Sequence, residues 1–334
     1  MVFLLGGLFV TLRFAELQQV ADTFKQGDIR YIALALCLQA IWILNVAASY
    51  KVIYQAMNVD EKYERLILIS TAANFVNVIA PSAGMGGMAV FIGEAKRRGY
   101  SPGRVTAAGV LAVLFDYLGF FVLLVLGLFV LFRRNYLSIT EIIPSAILLL
   151  MASILAYLIV IGVRSAEALG NVLARISHQI NRFSNFIAHR QYISEQRAYL
   201  FAQEVSLALK SITNRPKYLT LGILLGLSSK LILVINLALV FLAFNVPFSP
   251  GTIIAGFSIG YLFWIVSPTP AGIGFVEGGL ALALTTLNVS LGAAAVITLA
   301  FRGITFWIPL LFGMIAFRVL PHTGELQSES NLTH

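Results

Sequence analysis

Long runs of hydrophobic residues recur along the chain and are separated by shorter polar segments. Five runs are each long enough for the roughly 20 residues that a transmembrane helix needs: residues 31–50, 105–132, 141–163, 218–244 and 291–317. A further run at residues 1–12 can continue, tilted, toward Val20. A cleaved signal peptide is the alternative there, but no basic segment precedes the run and no clear small-residue cleavage site follows it. The pattern predicts an all-α protein with about six membrane spans.

Two further hydrophobic stretches are interrupted by proline and glycine. The first interruption reads Pro-Ser-Ala-Gly-Met-Gly-Gly at residues 81–87, and the second reads Pro-Thr-Pro-Ala-Gly-Ile-Gly at residues 268–274. Proline and glycine cost a helix about 3 and about 1 kcal/mol relative to alanine, so we expect helices to stop there. Neither side of either break is comfortably long enough to span a membrane alone. We therefore predict two helical hairpins or re-entrant helix pairs, over residues 66–98 and 251–288.

Composition agrees with a polytopic membrane protein. Of the 334 residues, 59% are hydrophobic and 11% are charged, and the mean hydropathy is +0.87. Soluble domains carry about 25% charged residues. The single cysteine, Cys37, lies in a hydrophobic run, and the four histidines lie outside such runs. These positions offer no disulfide framework and no usual metal or haem ligands within the membrane, so we expect no cofactor and no metal. We also expect no nucleic-acid partner.

Positive charge is distributed unevenly between the polar segments. Most of the 23 lysines and arginines lie in residues 51–65, 96–104 and 164–217. Under the positive-inside rule these segments are cytoplasmic, which also places both termini in the cytoplasm. Each predicted hairpin lies between two full spans, and the two units then have opposite orientations. The charge pattern therefore predicts an inverted repeat.

The same pattern divides the chain into four parts. We predict an N-terminal membrane half at residues 1–163, a C-terminal membrane half at 218–319 and a polar tail at 320–334. Residues 164–217 between the halves are basic and place hydrophobic residues at helical spacing. This segment is interpreted either as a plain connector or as an amphipathic helix or helix pair that is attracted to anionic headgroups. The two interpretations are compatible.

Five ionisable residues lie within or at the edge of hydrophobic stretches: Glu94, Asp116, Lys230, Glu277 and Arg302. A charge at the membrane centre costs on the order of 2.5–3.5 kcal/mol on insertion scales, so such residues are normally paired or line a wet cavity. Glu277 and Arg302 belong to adjacent elements and can form an ion pair. That pair could gate a substrate pathway, or it could only hold the second hairpin against its neighbour.

The other three charged residues have several candidate partners. Asp116 corresponds loosely, in its half of the chain, to Arg302 in the other half. Lys230 can meet a phosphate, or it can pair with Asp116 or Glu94. Glu94 can also neutralise the basic run at residues 96–98, which follows it closely.

The breaks themselves are the remaining candidate site. Many glycines in membrane proteins only let helices pack closely, but a Pro-Gly cluster that ends a helix also leaves N-terminal amides and a partial positive charge that point at a cavity. An anionic headgroup fits such a cavity. The candidate substrate-binding residues are Pro81, Gly84, Gly86 and Gly87 at the first break and Pro270, Gly272 and Gly274 at the second.

The residues around the second break resemble a known family. Residues 268–277, which read Pro-Thr-Pro-Ala-Gly-Ile-Gly-Phe-Val-Glu, and the Phe-Arg-Gly-Ile-Thr-Phe-Trp-Ile-Pro-Leu segment at residues 301–310 are similar to the signature of the lysylphosphatidylglycerol synthase transmembrane (flippase-like) family. Residues 80–87 and 97–101 fit the first half of this family more loosely. The resemblance extends over residues 30–319.

This resemblance implies a protein of the cytoplasmic membrane of a bacterium or archaeon that moves or handles lipids. In bifunctional members a similar membrane domain flips an aminoacylated phospholipid made by a fused synthase. We expect no synthase here, because the chain ends soon after its last predicted span. Ala271 stands where many members have a second glycine. Many members also carry a basic residue a few positions before the aspartate of the first half, but none stands there before Asp116. Lys230 is therefore our candidate partner for Asp116.

These observations predict a lipid translocase. An anionic phospholipid or a polyprenyl-linked lipid would enter between the repeats, with Glu277 and Arg302 as a switchable pair. Two alternatives stay open: a non-transporting, lipid-binding accessory subunit of an envelope or glycolipid synthesis complex, and an ion-coupled transporter of small solutes. An enzyme is the least expected class, because no nucleophile and base stand together. The expected partners are membrane lipids with anionic headgroups, and an envelope-synthesis enzyme or a second copy of the chain are further candidates.

Overall fold

The computed structural model describes residues 14–79, 85–133, 139–175, 178, 195–267, 269 and 272–320. Every regular element within these residues is helical, which confirms the all-α prediction. Four of the described helices are long and apolar enough to cross a membrane: Ile29–Ala56, Pro102–Arg133, Pro216–Ala243 and Leu291–Val319. They coincide with four of the predicted spans. The protein is therefore a polytopic membrane protein.

The α-helices of the described residues are numbered in chain order. They are α1 (Phe14–Gln26), α2 (Ile29–Ala56), α3 (Tyr63–Ile79), α4 (Met85–Arg97), α5 (Pro102–Arg133), α6 (Ile139–Arg164), α7 (Glu195–Thr213), α8 (Pro216–Ala243), α9 (Pro250–Val266), α10 (Phe275–Thr286), α11 (Leu291–Arg302) and α12 (Ile308–Val319). A π-helix, Gly303–Trp307, joins α11 to α12, and residues 166–175 are also helical. The predicted span at 141–163 corresponds to α6. The predicted run at residues 1–12 lies outside the described residues.

Both predicted hairpins are present as pairs of short helices. Helices α3 and α4 have 17 and 13 residues, and α9 and α10 have 17 and 12. At about 1.5 Å per residue, even the longer arms reach only about 26 Å, which is less than the roughly 30 Å of a hydrocarbon core. At the second motif α9 ends at Val266 and α10 begins at Phe275, as the motif predicts, whereas α4 begins within the first motif, at Met85.

The two halves of the chain repeat the same series of elements. A 28-residue helix, a 17-residue arm, a shorter arm and a long span follow one another as α2 to α5 and again as α8 to α12. Left-handed residues end equivalent helices in both halves. Asn58 and Asn245 follow the 28-residue helices with φ angles of 56° and 55°, and Gly99 and Asn288 follow the shorter arms with φ angles of 71° and 68°. The repeat therefore extends to the helix ends.

The equivalent helices α2 and α8 pack side by side and run in opposite directions. Four contacts along their length show this: Asp28 N with Ala243 O at 2.8 Å, Trp42 Nε1 with Ser229 Oγ at 2.9 Å, Asn45 Nδ2 with Leu225 O at 2.9 Å, and Arg215 Nη1 with Gln55 O at 3.1 Å. Residue numbers rise along α2 while those of the partners fall along α8. Antiparallel packing of equivalent helices is the arrangement that an inverted repeat requires. Which side of the membrane is cytoplasmic stays a prediction of the charge pattern.

Each hairpin also packs against the other half of the chain. The first arm of the first hairpin, α3, packs against α12, and the first arm of the second hairpin, α9, packs against α5. On α12, a Cβ at Gly313 would lie only 2.6 Å from Thr71 O, so glycine permits the close approach of α3. On α9, Ser258 Oγ donates to Leu123 O at 3.0 Å. Hydrophobic residues of both halves therefore pack together in shared clusters.

The register of the repeat refines one sequence interpretation. Ser101 and Ser290 cap the first turns of the equivalent helices α5 and α11 through their hydroxyl groups. Counted from these caps, Arg302 matches Val113, and Asp116 lies about one helical turn further along. The loose correspondence between Asp116 and Arg302 is therefore not a positional equivalence.

The described part of the predicted connector is packed onto the membrane helices. On α7, Glu204 Oε2 accepts hydrogen bonds from Ser101 Oγ at 2.7 Å and from Gly103 N at 2.8 Å, at the start of α5. Ser211 Oγ donates to Ala56 O at the end of α2, at 2.8 Å. Helix α7 therefore connects the ends of several helices, and its attraction to anionic headgroups stays a prediction. Residues 321–334 of the predicted tail lie outside the described residues.

Candidate functional site

The described part of the second break, between α9 and α10, contains a turn in which Gly272 N donates to Thr269 O at 3.0 Å. Gly272 and Gly274 have positive φ angles of 75° and 78°, a backbone conformation in which a residue with a Cβ is strained. A Cβ at Gly272 would also lie 2.3 Å from Val276 Cγ2. Both glycines of the predicted motif are thus required by the shape of the turn. Pro270, which belongs to the same prediction, lies outside the described residues.

Glu277 stabilises the start of α10. Its Oε2 accepts a hydrogen bond from Gly274 N at 2.7 Å, which satisfies one of the N–H groups that the first turn of a helix leaves without a partner. Gly274 has no side chain, so only this half of a capping box forms. The partial positive charge at a helix N-terminus also favours a carboxylate at this position.

The other carboxylate oxygen of Glu277 binds Arg302. Glu277 Oε1 and Arg302 Nε are 2.7 Å apart, so the ion pair expected from the sequence is present. The side chain of Arg302 is 8% exposed, whereas that of Glu277 is 24% exposed. The cluster is therefore buried on its arginine side and accessible on its carboxylate side. We call Glu277, Arg302 and Gly274 N the break cluster.

Arg302 is held in place at the junction of α11 and the π-helix. Its guanidinium carbon lies 4.2 Å from the centroid of the Phe306 ring, and a cation is attracted to an aromatic face at this distance. Short π-helices are frequent at functional sites. Helix α1 packs against this π-helix, since a Cβ at Gly303 would lie 2.6 Å from Val20 Cγ1. These contacts position the guanidinium beside the break.

The polar side chain described at the first break is an uncharged amide, whereas those at the second break are charged. Asn77 Oδ1, near the end of α3, accepts a hydrogen bond from Gly87 N at 2.6 Å. Gly86 lies in the first turn of α4, and Pro81 and Gly84 lie outside the described residues. Asn77 was not among the predicted site residues, because one asparagine in an apolar stretch carries no spacing signal. The described contacts at the two breaks therefore differ in polar chemistry.

Asp116 and Lys230 form a second charged cluster. Asp116 Oδ1 is 2.6 Å from Lys230 Nζ, and Asp116 Oδ2 accepts a hydrogen bond from Tyr261 Oη at 2.9 Å. Lys230 Nζ also donates to Tyr261 Oη at 2.6 Å and lies 4.2 Å from the ring centroid of that tyrosine. The predicted contact between Lys230 and Asp116 is confirmed, and sequence reasoning missed Tyr261. We call these three residues the inter-half triad, because Asp116 belongs to the first half and the other two to the second.

Glu94 joins the two arms of the first hairpin. Its Oε2 is 2.7 Å from Arg65 Nη2, and both side chains are almost completely buried. Its Oε1 is 3.3 Å from Arg97 Nη1, so part of the expected contact with the basic run is present. Arg65 was missed as the nearer partner, because it lies at the polar edge of α3 and not in the basic run. The alternative pairing of Glu94 with Lys230 is not the observed one.

Aromatic side chains on α9 connect the inter-half triad to the second break. The rings of Tyr261 and Trp264 are 5.2 Å apart. Trp264 is 45% exposed, and its Cδ1 would lie 3.4 Å from a Cβ at Gly272. The last turns of α9 thus contact the triad on one side and the break on the other.

The family match covers nearly the whole chain. Residues 1–313 match the family described as the lysylphosphatidylglycerol synthase TM region. The chain belongs to this family. It is 21% identical over 315 residues to a UPF0104 membrane protein of Methanothermobacter thermautotrophicus, covering 93% of this chain and 90% of the relative. It is 23% identical over 319 residues to a UPF0104 membrane protein of Methanocaldococcus jannaschii, covering 94% and 91%. The names of these relatives state that they are membrane proteins and state no activity.

In this chain, the second break contains two kinds of hydrogen-bond donor that can bind an anion. One is the set of N–H groups in the first turn of α10, and the other is the guanidinium of Arg302. In the structure the carboxylate of Glu277 binds both kinds of donor at once. A phosphate group accepts hydrogen bonds from the same donors. The break cluster therefore has the chemistry of an anion site in which an internal carboxylate binds the donors.

Proposed function

We propose that this protein moves a lipid with an anionic phosphate headgroup across the cytoplasmic membrane, and that the headgroup passes the second break. The observation that supports this most directly is that Glu277 binds both Gly274 N and Arg302. A lipid phosphate can replace the carboxylate at these donors. The family description refers to the synthase of a phospholipid, which supports a lipid as the substrate. Phospholipids and polyprenyl phosphates share the chemistry that the site would recognise.

The proposed exchange keeps Arg302 paired throughout. A phosphate enters between the two halves and displaces Glu277, whose partly exposed side chain turns toward water. When the lipid leaves on the other side, Glu277 returns to the guanidinium. An uncompensated buried charge costs several kcal/mol, so each anion leaves only as the other arrives. The antiparallel repeats supply the two alternating openings.

The test is lipid movement in reconstituted vesicles that contain headgroup-labelled anionic phospholipid. We expect the wild type to move the label and Arg302→Ala to slow it by about 10- to 100-fold, because a hydrogen bond to a charged group contributes about 1.5–3 kcal/mol. Glu277→Gln removes the competing charge and is expected to slow release of the headgroup. Asp22→Asn is the matched control, because Asp22 belongs to an exposed pair with Lys25 on α1 and such pairs contribute little.

Three results would contradict the proposal. Movement by folded Arg302→Ala at the wild-type rate would exclude the second break as the headgroup path. Failure of the folded wild type to move any labelled phospholipid or polyprenyl phosphate, together with stable co-purification of an envelope-synthesis enzyme, would favour the accessory subunit. Transport of a soluble solute without lipid movement would favour the small-solute transporter. Size-exclusion profiles and thermal unfolding establish that each variant is folded.

A further inference from the structure

The two charged members of the inter-half triad differ in their access to water. The side chain of Lys230 is 2% exposed, whereas that of Asp116 is 35% exposed. Asp116 lies near the middle of α5, and a charged side chain within a membrane span is normally paired or in contact with water. Asp116 is therefore the member of the pair that is open to the surroundings of the helices. Lys230 can reach water only if the helices around it move.

The triad lies beside a crossing where helices of the two halves are in backbone contact. One turn beyond Asp116, a Cβ at Gly119 would lie 2.5 Å from Gly226 O. One turn before Lys230, a Cβ at Gly226 would lie 2.3 Å from Phe115 O. Helices α5 and α8 approach this closely only because both positions are glycine. A change of charge in the triad therefore acts directly on the contact between the halves.

The groups that face Asp116 come from the helices packed around α5. Helix α8 contributes Lys230 and α9 contributes Tyr261. Tyr50 on α2 and Tyr117 on α5 itself interact electrostatically with Asp116. Helices α7 and α4 contact α5 away from Asp116, where Glu204 accepts a hydrogen bond from Gly103 N and the uncharged Met88 lies against Gly109. Within the described part of the chain, Lys230 is the cation paired with Asp116, so a proton on Asp116 leaves a buried positive charge without its counter-charge.

We propose that Asp116 is a proton-binding site that couples lipid movement to a proton gradient. The inference rests on the proposed function, because it supplies the energy source for that transport. One proton from the aqueous phase forms an O–H bond with a carboxylate oxygen of Asp116, and the ion pair with Lys230 is lost. A separated state of α5 and α8, in which water reaches Lys230, is then favoured. Release of the proton on the other side restores the pair.

The experiment measures how a pH gradient distributes labelled anionic phospholipid between the leaflets of reconstituted vesicles, with the membrane potential held at zero. If one proton accompanies each lipid, each pH unit shifts the equilibrium ratio by up to about tenfold. The double variant Asp116→Asn/Lys230→Met removes both charges together, a change that buried pairs often tolerate, and is expected to lose this shift. Asp22→Asn, at the exposed pair on α1, is expected to keep it.

A second measurement tests the proton site without transport. Infrared spectra of the purified protein, titrated with acid, are expected to show a protonated carboxyl band that the double variant Asp116→Asn/Lys230→Met removes and Asp22→Asn keeps. The coupling would be overturned if the pH gradient did not change the lipid distribution produced by the wild type. It would also be overturned if the double variant still showed that change. If no variant moves lipid, the proposed function fails. The infrared band then decides the proton site by itself, and its absence overturns that site.

Discussion

The two charged clusters of this protein are built in different ways. In the break cluster, Glu277 binds a backbone N–H three residues earlier and an arginine of the next helix, so all its members belong to the second half. In the inter-half triad, Asp116 of the first half meets Lys230 and Tyr261 of the second. The break cluster depends on a local turn, whereas the triad exists only when the halves are assembled. In the proposed function, the first arrangement responds to a bound headgroup and the second to movement between the halves.

The same contrast appears between the two hairpins. The base of the first hairpin is held by buried ion pairs, with Glu94 bound to Arg65. At the base of the second, the first arm begins with a neutral N-cap, in which Ser249 Oγ accepts a hydrogen bond from Thr252 N at 3.1 Å. Backbone geometry is conserved between the repeats while charge is not. A duplicated fold thus gives equivalent positions different chemistry.

The largest effect on stability is expected when only one of the two charges in the inter-half triad is removed. Asp116→Asn leaves the buried Lys230 without a counter-charge and should lower the free energy of unfolding by about 3–5 kcal/mol. Lys230→Met leaves a partly exposed carboxylate and should cost less. Thermal unfolding of the detergent-purified variants measures this order. A larger loss of stability for Lys230→Met than for Asp116→Asn would show that the unpaired carboxylate of Asp116 costs more than the unpaired charge of Lys230.

The next largest effect is expected at the crossing beside the triad. Gly226→Ala places a methyl group against Phe115 O and should destabilise the protein by about 1–3 kcal/mol, because α5 and α8 must separate. The control is Gly278→Ala on α10, where a Cβ would meet nothing within 4 Å. That variant should be neutral or slightly stabilising, since alanine favours a helix over glycine by up to about 1 kcal/mol. Equal unfolding temperatures for both variants would contradict the close crossing.

The smallest effect tests the equivalence of the halves. Asn58→Ala and Asn245→Ala each place alanine in a left-handed conformation and should cost about 1–2 kcal/mol. The glycine variants at the same positions should cost nothing. Since the two sites have the same backbone geometry, the two alanine variants should shift the unfolding temperature in parallel. A large effect at only one site would show that the repeat is not energetically equivalent there.

Much of the fold followed from local sequence signals. Hydrophobic runs of span length and Pro-Gly clusters act on the residues that carry them, so the spans and the interrupted hairpins were predicted correctly for the described residues. Glu277 and Arg302 were also paired correctly, because they lie in consecutive elements. Asn77, Arg65 and Tyr261 were missed as partners. Each lies in an ordinary helical segment and becomes identifiable only through the residue that it contacts.

The helical class, the membrane setting and the position of the second break follow from the amino-acid sequence without knowledge of the packing, whereas the anion-binding residues stay a prediction. These properties depend on hydrophobicity, backbone conformation and charge over short distances along the chain. The tertiary structure alone decided that α2 and α8 run antiparallel, that Asp116 pairs with Lys230 through a glycine crossing, and that one carboxylate binds both Arg302 and the start of α10. These contacts join residues far apart in the chain, and their energy is gained only when the helices pack.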